Sequence, residues 1–280
     1  MMPMPLPQPG IEVLDLHSGV TGRDLRLFVK LPWRYEGSDV AYPVLFALDG
    51  NRSFPLYATV SLMFETPGEP TPEIIIVGVA YRTASERLKG LAQWAAWRTS
   101  DFTPVSRQAT DEYWEKSLTD LVPGERLEVR SGGAPLLLRS LGEEIIPAVE
   151  ENYRTSAADR GLAGYSYGGL FVLYALFHAP ELFTRYFAGS PSMWDELFDY
   201  EDRYSSTHGD LPAKLFMTAG GRESDVIEPM QRMADRLRSR GYPGLAVLTQ
   251  VFEGEGHRSA TAASVSRSLC VLYNESWLDG

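Results

Sequence analysis

The fold is decided by the stretch LAGYSYGGLFVLYALF at residues 162–177. It places the pattern G-x-S-x-G between an apolar segment typical of a buried strand and an apolar segment typical of a helix. In this context the small residues Gly164 and Gly168 let neighbouring backbone pass close by, so the hydroxyl of Ser166 stands exposed above the sheet. The pattern therefore predicts a sharp turn that presents Ser166 as a nucleophile.

On both sides of this stretch, strand-like segments alternate with helix-like ones. The apolar runs at residues 43–48 and 74–80 have little polar alternation, which is typical of strands buried on both faces of a parallel sheet. Further helical and strand-like segments follow at residues 54–64, 186–188, 215–218, 227–239 and 245–252. This alternation predicts an α/β fold with a mostly parallel central sheet and helices on both faces.

The beginning of the chain follows a different pattern. Residues 11–16 and 23–31 predict two antiparallel strands joined by the turn HSGVTG, which adds a hairpin to one edge of the sheet. Residues 1–10, MMPMPLPQPG, predict an extended, Pro-rich arm. We therefore expect a single domain over residues 11–280.

Residues 82–134 form an aromatic-rich excursion between two core elements. Connections of this length are unusual in compact folds and are often functional. The excursion follows a strand whose carboxyl end faces the edge where α/β folds bind their ligands. We expect it to form one wall of a substrate pocket, with Trp94, Trp97 and Trp114 as contact residues.

Charge and composition restrict the partners of the chain. Lys and Arg number 26 against 37 Asp and Glu, a net charge of −11, so the chain is poorly suited to bind nucleic acids or anionic membranes, which require a basic surface. A single cysteine, Cys270, excludes an internal disulfide and a zinc site built on several thiolates. No apolar run approaches the ~18 residues of a membrane span, and no signal-peptide pattern is present, so we expect a cytoplasmic location.

A serine nucleophile needs a base, and the chain has four histidines. His17 lies in the predicted hairpin turn, His178 ends the helix after Ser166, and His208 lies in a polar loop. His257, within GEGH, follows the last predicted strand, where a histidine base comes after the serine in chain order. We therefore expect His257 to be the general base.

The third member should be a carboxylate between the serine and the histidine, where it would fix the imidazole tautomer. The loop AGGRESD at residues 219–225 offers Glu223 and Asp225. Glu223 is closer to the end of the strand, and Asp225 could instead cap the helix at 227–239. Glu223 is preferred, and Asp225 remains the alternative.

Two backbone amides are expected to stabilise the oxyanion of the reaction. The first belongs to Tyr167, at the start of the helix after Ser166. The second should come from the loop after the third strand, where Asn51 is the first choice and Gly50 the second. In the same loop, we expect Asp49 to be a structural carboxylate that receives loop amides.

Several ordered segments together resemble a known family. These are LFALDGN (45–51), VGVAYR (77–82), SGGAPLLLRSLGEEIIPAVEENYRT (131–155), GYSYGGLFVLYALFHAPELF (164–183), SPSMW (190–194), AGGRE (219–223) and GEGH (254–257). From about residue 11 to 275 the chain resembles the putative-esterase family of α/β-hydrolases, which includes enterochelin and salmochelin esterases and is related to esterase D and the mycolyltransferases. The resemblance implies an α/β-hydrolase fold and a carboxylic-ester hydrolase with no metal or organic cofactor.

The resemblance also implies roles for particular residues. The family's nucleophile falls on Ser166, its histidine on His257, and the acid of its G-x-x-E loop on Glu223. In the related mycolyltransferases the amide after the LDG turn serves the oxyanion, which supports Asn51. The segment SPSMW places Trp194 near the site as a substrate-contacting aromatic residue.

The expected substrate is a small-molecule ester, such as a siderophore-like macrolactone or an aryl ester, cleaved through an acyl-enzyme. Basic side chains on predicted loops could recognise an anionic substrate: Arg52 first, then Arg82, Arg98 and Arg107. Two alternatives remain: an acyltransferase or cyclase that uses the same residues, and a ligand-binding protein without catalysis on the same fold.

Overall fold

The computed structural model describes residues 10–65 and 73–274. All but the last residue of the predicted Pro-rich arm therefore lies outside the described residues. Within them, the strands of the sheet are β1 (Ile11–Ser18), β2 (Arg23–Lys30), β3 (Tyr42–Ala47), β4 (Ile75–Tyr81), β5 (Thr155–Tyr165), β6 (Arg185–Gly189), β7 (Ala213–Gly220) and β8 (Leu245–Phe252).

The strands form one mixed sheet in the order β1-β2-β4-β3-β5-β6-β7-β8. The N-terminal hairpin pairs antiparallel, β2 pairs antiparallel with β4, and every later pairing is parallel. The predicted mostly parallel sheet with antiparallel N-terminal strands is confirmed. Because the carboxyl ends of parallel strands meet at one edge, the turns after β3, β5, β6, β7 and β8 converge there.

Helices cover both faces of this sheet, as predicted. They are α1 (Gly50–Phe64), α2 (Arg87–Phe102), α3 (Gln108–Leu121), α4 (Ala134–Ser140), α5 (Ile146–Asn152), α6 (Tyr167–His178), α7 (Glu196–Thr207), α8 (Ser224–Arg240) and α9 (Ala260–Tyr273), and a π-helical turn (Leu141–Ile145) joins α4 to α5. One core lies under α1 and α9, and a larger one lies under α4 to α8. None of the helices among the described residues has both the length and the apolar character to cross a membrane.

Two elements differ from the sequence-based expectation in a way that matters for the site. The first helix begins at Gly50 and not near residue 54, so the expected oxyanion loop is the first turn of a helix. Gly50 packs directly against Gly78 on β4, where a Cβ on Gly50 would lie 2.6 Å from the Gly78 carbonyl carbon, so only glycine fits at the first position of this helix. The excursion at residues 82–134 contains α2 and α3, which share a small apolar core.

Candidate active site

Ser166 occupies a strained turn between β5 and α6. Its backbone has φ 61° and ψ −118°, a conformation that non-glycine residues rarely adopt. The turn is so tight that a Cβ at Gly164 would lie 2.3 Å from the carbonyl oxygen of Gly168. Only glycine therefore fits at position 164. The amide of Ser166 donates to the carbonyl of Gly189 at 2.9 Å, which ties the turn to β6. Strain held in this way is typical of functional turns.

His257 lies in the loop between β8 and α9, and its ring contacts Glu223. The distance from Nδ1 of His257 to Oε1 of Glu223 is 2.6 Å. A carboxylate can only accept hydrogen bonds, so Nδ1 carries the proton and Nε2 is left as an acceptor. The pair therefore holds the imidazole in the tautomer that a general base requires.

Glu223 is buried at the start of α8, where its other oxygen is fully engaged. Oε2 accepts the amide of Gly220 at 2.7 Å and the hydroxyl of Ser190 at 2.8 Å. Burial disfavours the charged carboxylate, but the Gly220 amide, the Ser190 hydroxyl and His257 outweigh burial and lower the pKa of Glu223. Glu223 is therefore a carboxylate at neutral pH.

Asp225 takes neither of the two roles that the sequence suggested for it, the acid beside His257 or the N-cap of the following helix. It lies exposed in the first turn of α8, while the residue before the helix is Glu223, so the suggestion that Asp225 is the N-cap is wrong. Among the two candidate acids, the structure joins Glu223 to the histidine.

The two expected oxyanion donors both lie in first turns of helices. Tyr167 is the first residue of α6 and Asn51 the second of α1. Amides in a first turn have no acceptor within their own helix, so they are available to a ligand. The side chain of Asn51 donates to the carbonyl of Tyr81 and accepts a hydrogen bond from the amide of Tyr81, at 2.8 Å each. These two bonds fix the turn against β4.

A buried ion pair lies beneath these turns. Arg98 of α2 donates twice to Asp49, at 2.7 and 2.8 Å, and the indole of Trp94 donates to the same carboxylate at 3.0 Å. Two expectations are thereby wrong: Asp49 receives side chains and not loop amides, and Arg98 lies on a helix and is not free for substrate. Burial disfavours the charge of Arg98, but Asp49 more than compensates and raises its pKa.

We expect the replacement of Arg98 by Met to lower the free energy of unfolding by about 3–5 kcal/mol, because Asp49 would stay buried without its partner. Arg26→Met is the matched control, since Arg26 makes the same two-bond contact with Asp15 in a half-exposed position, where such pairs contribute little. Denaturant unfolding measures both variants. Equal midpoints for the two variants would contradict the assigned role of the buried pair.

A cavity of about 670 Å³ opens beside Ser166 and His257. The excursion contributes part of its wall through α2, namely Leu91, Trp94 and Arg98. Of the three tryptophans expected there, Trp94 lines the cavity. Trp97 instead packs against Tyr81 and under Arg23, and Trp114 reaches toward the hydroxyl of Tyr167.

The arginines proposed for substrate recognition have different surroundings. Arg52, on α1 and not on a loop, is exposed at the cavity and lies 5.0 Å from the ring centroid of Trp94. Arg82 pairs with Asp15 at 3.6 Å. Arg107 pairs with Glu196 at 2.6 Å. Of these proposed arginines, Arg52 is therefore the one best placed to meet a ligand in the cavity.

Trp194 lies near the turn that carries Ser166, but it is not among the residues that line the larger cavity. Its ring packs edge-on against Tyr167, with centroids 6.1 Å apart, and Arg107 lies 3.9 Å above it. A smaller cavity of about 500 Å³ also borders His257 and is lined by Ser190, Ser192, Met193, Arg222, Glu223, Asp225, Val226 and His257. Substrate contact by Trp194 stays a prediction.

Sequence reasoning missed several polar residues of the site, among them Arg258 and Thr261 in the lining of the larger cavity and the hydroxyls of Ser190 and Tyr165. Ser190 and Tyr165 both lie in segments that carried the family resemblance, but the positions of their hydroxyls depend on the packing of β5 against β6. The parts of the chain that the structure describes hold no group of three His, Cys, Asp or Glu residues arranged to bind a metal ion.

Known proteins share both the sequence and the fold. Residues 125–226 match the family model described as "Putative esterase". The chain is 31% identical to the ferri-bacillibactin esterase BesA of Bacillus subtilis (strain 168), over 93% of this chain and 89% of that protein. It is 27% identical to a siderophore triacetylfusarinine C esterase of Aspergillus fumigatus, over 98% and 97%.

A solved structure agrees with these matches. The BES protein from Bacillus cereus superposes with a TM-score of 0.80 at 25% identity, covering 98% of this chain and 99% of that one. Identity of 31% sustained over most of both chains shows common descent and not a shared motif alone, so the resemblance seen in the sequence is confirmed. The chain belongs to the putative-esterase family of α/β-hydrolases, a family of serine esterases.

Proposed function

We propose that this chain hydrolyses a carboxylic ester through an acyl-enzyme formed on Ser166. The observation that carries the proposal is the hydrogen bond between His257 and Glu223 beside the cavity that Ser166 lines. Nε2 of His257 takes the proton of the serine hydroxyl as the oxygen attacks the ester carbonyl. Glu223 holds the ring and stabilises the imidazolium that forms.

The remaining steps use the same groups. The amides of Tyr167 and Asn51 stabilise the negative charge on the carbonyl oxygen of the tetrahedral intermediate. His257 then gives its proton to the leaving alcohol, and the acyl group stays on Ser166. In the second half of the reaction His257 activates a water molecule, which releases the acid and restores the serine.

The relatives support a siderophore-like ester, and the cavity lining supports a bulky, anionic one. The named relatives are esterases of ferri-bacillibactin and of the siderophore triacetylfusarinine C. The cavity volume of about 670 Å³ falls within the range of small-molecule sites. Trp94 offers an aromatic face and Arg52 a positive charge, although the chain as a whole is acidic. We propose a siderophore-like macrolactone or an aryl ester as the substrate class.

A panel of esters tests this function. The protein should hydrolyse macrolactones of hydroxy acids and anionic aryl esters, and a fluorophosphonate probe should label it once. Added alcohols or amines should not replace water in the product, since an acyltransferase would instead release new esters or amides. The absence of both hydrolysis and labelling would overturn the proposal.

Arg52→Met is expected to raise KM for an anionic aryl ester roughly two- to fivefold, while KM for p-nitrophenyl acetate stays the same. An exposed ion pair contributes up to ~1 kcal/mol, which corresponds to that factor. Arg34→Met is the matched control, because Arg34 lies over Trp33 at 4.7 Å, outside the cavity lining. An equal change in KM for the two esters would show that Arg52 does not recognise the charge of the substrate.

A further inference from the structure

A pair of hydroxyls joins the nucleophile turn to the histidine loop. Tyr165, the residue before Ser166, donates its hydroxyl to the backbone carbonyl of His257 at 2.8 Å. The same oxygen lies 2.7 Å from Oγ of Ser190. Ser190 in turn donates to Oε2 of Glu223 at 2.8 Å. The two hydroxyls therefore contact both the histidine and the carboxylate that the proposed reaction uses.

The backbone around Ser190 holds its hydroxyl in place at an energetic cost. Ser190 is fully buried and has φ 35°, in the left-handed region that non-glycine residues rarely occupy. Its amide donates to the carbonyl of Thr218 at 2.8 Å. Such a conformation persists only where the surrounding structure imposes it, and it is concentrated at functional sites.

Space for Tyr165 is provided by the neighbouring strand. A Cβ on Gly189 would lie 2.4 Å from the ring of Tyr165, so any larger residue there would displace the ring. The tyrosine ring also faces the imidazole of His257, with centroids 5.3 Å apart. Tyr165 thus fills the gap between the strand that carries the nucleophile and the loop that carries the base.

The number of protons in this network limits what it can do. Each hydroxyl has one proton to donate, while the His257 carbonyl and the Glu223 carboxylate can only accept. Tyr165 therefore donates to the His257 carbonyl and Ser190 donates to Glu223, so each of these two acceptors receives one proton. Burial raises the pKa of Tyr165, against the opposing effect of the hydroxyls of Ser190 and Thr261, so Tyr165 keeps its proton at neutral pH.

We propose that Tyr165 and Ser190 are positioning residues, which fix the His257 backbone and the Glu223 carboxylate relative to the nucleophile turn. The proposal rests on the function proposed above, in which His257 and Glu223 act on Ser166. Tyr165 fixes the position of His257, because it is adjacent to Ser166 in the chain and donates a hydrogen bond to the backbone carbonyl of His257. Ser190 orients the carboxylate of Glu223, which holds the imidazole ring, and its hydrogen bond favours the charged form of that carboxylate.

Two variants that each remove one hydroxyl test the pair. Tyr165→Phe keeps the ring, and Ser190→Ala keeps the Cβ and hence the backbone strain. Each is expected to lower kcat roughly tenfold, about the value of one hydrogen bond, with KM unchanged. Ser190→Ala should also move the acid limb of the kcat/KM profile to higher pH, since a carboxylate with one donor fewer attracts the imidazolium more strongly.

The charged side chains around His257 remain the same in both variants. Those on its own loop, across the larger cavity and across the smaller cavity are Glu253, Glu255, Arg258, Asp49, Arg52, Arg98, Arg222 and Asp225. A displaced acid limb in Ser190→Ala is therefore attributable to the lost hydroxyl. Thermal unfolding of each variant separates a change in the site from a loss of fold.

Ser140→Ala is the matched control, because Ser140 is equally buried and donates to the carboxylate of Glu144 at 2.7 Å, outside both cavities. It should leave kcat and the pH profile as in the parent. Parental kcat in both Tyr165→Phe and Ser190→Ala would overturn the inference, and so would an effect of the same size in Ser140→Ala. Activity retained in Ser166→Ala would instead overturn the proposed function, so the two failures are distinguishable.

Discussion

Replacing Ser166 by Ala is expected to abolish ester hydrolysis, with kcat lower by ~10⁴–10⁶. The reaction needs an oxygen nucleophile at the apex of the turn, and Ser166 holds its hydroxyl there, next to the cavity that His257 also lines. Alanine keeps the Cβ, so the backbone energy of the turn hardly changes and the protein should remain folded. Steady-state kinetics on an activated aryl ester measures the loss.

The control for this variant is a serine that lines neither cavity. Ser117 lies half-buried on α3 and donates to the carbonyl of Tyr113, so Ser117→Ala should behave as the parent does. A fluorophosphonate adduct mapped by mass spectrometry should fall on Ser166 in the parent and disappear in Ser166→Ala. If that variant keeps more than a tenth of the parental activity, Ser166 is not the nucleophile.

Glu223→Gln is expected to lower kcat by ~10²–10⁴ with little change in KM. Oε2 of Glu223 faces two donors, the amide of Gly220 and the hydroxyl of Ser190. The amide oxygen of a glutamine would take that place and turn its NH₂ group toward Nδ1 of His257. The ring would then carry its proton on Nε2 and could not accept the proton of Ser166.

Asp225→Asn is the matched control for this change, since Asp225 lies two residues away and is exposed in the first turn of α8. It should keep kcat within about a factor of two of the parent, because a surface substitution away from special contacts changes energies by less than ~0.5 kcal/mol. If Asp225→Asn were the crippled variant, the assignment of the acid would be reversed. If neither variant lost activity, the chain would work with serine and histidine alone.

The sequence by itself was sufficient for features that arise from neighbours along the chain. The nucleophile turn is a local structure, because the glycines at 164 and 168 and the apolar segments around Ser166 specify it within a few residues. The alternation of strands and helices follows from hydrophobic periodicity, which is also local. The chain order of serine, acid and histidine then limited the base to His257.

Local patterns also had clear limits. The helix expected near residue 54 begins at Gly50, whose missing side chain lets it pack directly against Gly78 on β4. Arg98 was interpreted as a free cation on a loop, whereas α2 buries it against Asp49. Both outcomes depend on packing against elements that are distant in sequence.

Only the tertiary structure decided how the parts of the site are joined. The hydrogen bond that selects Glu223 over Asp225 spans 34 residues, the pair of Asp49 and Arg98 spans 49, and the bond from Tyr165 to His257 spans 92. The physical reason is that a side chain's partner is set by which strands and helices lie next to each other, and the sheet order brings together groups far apart in the chain. Residue type and spacing determined which side chains could act as nucleophile, base and acid. The packing of β5 to β8 determined which of these side chains bond to each other.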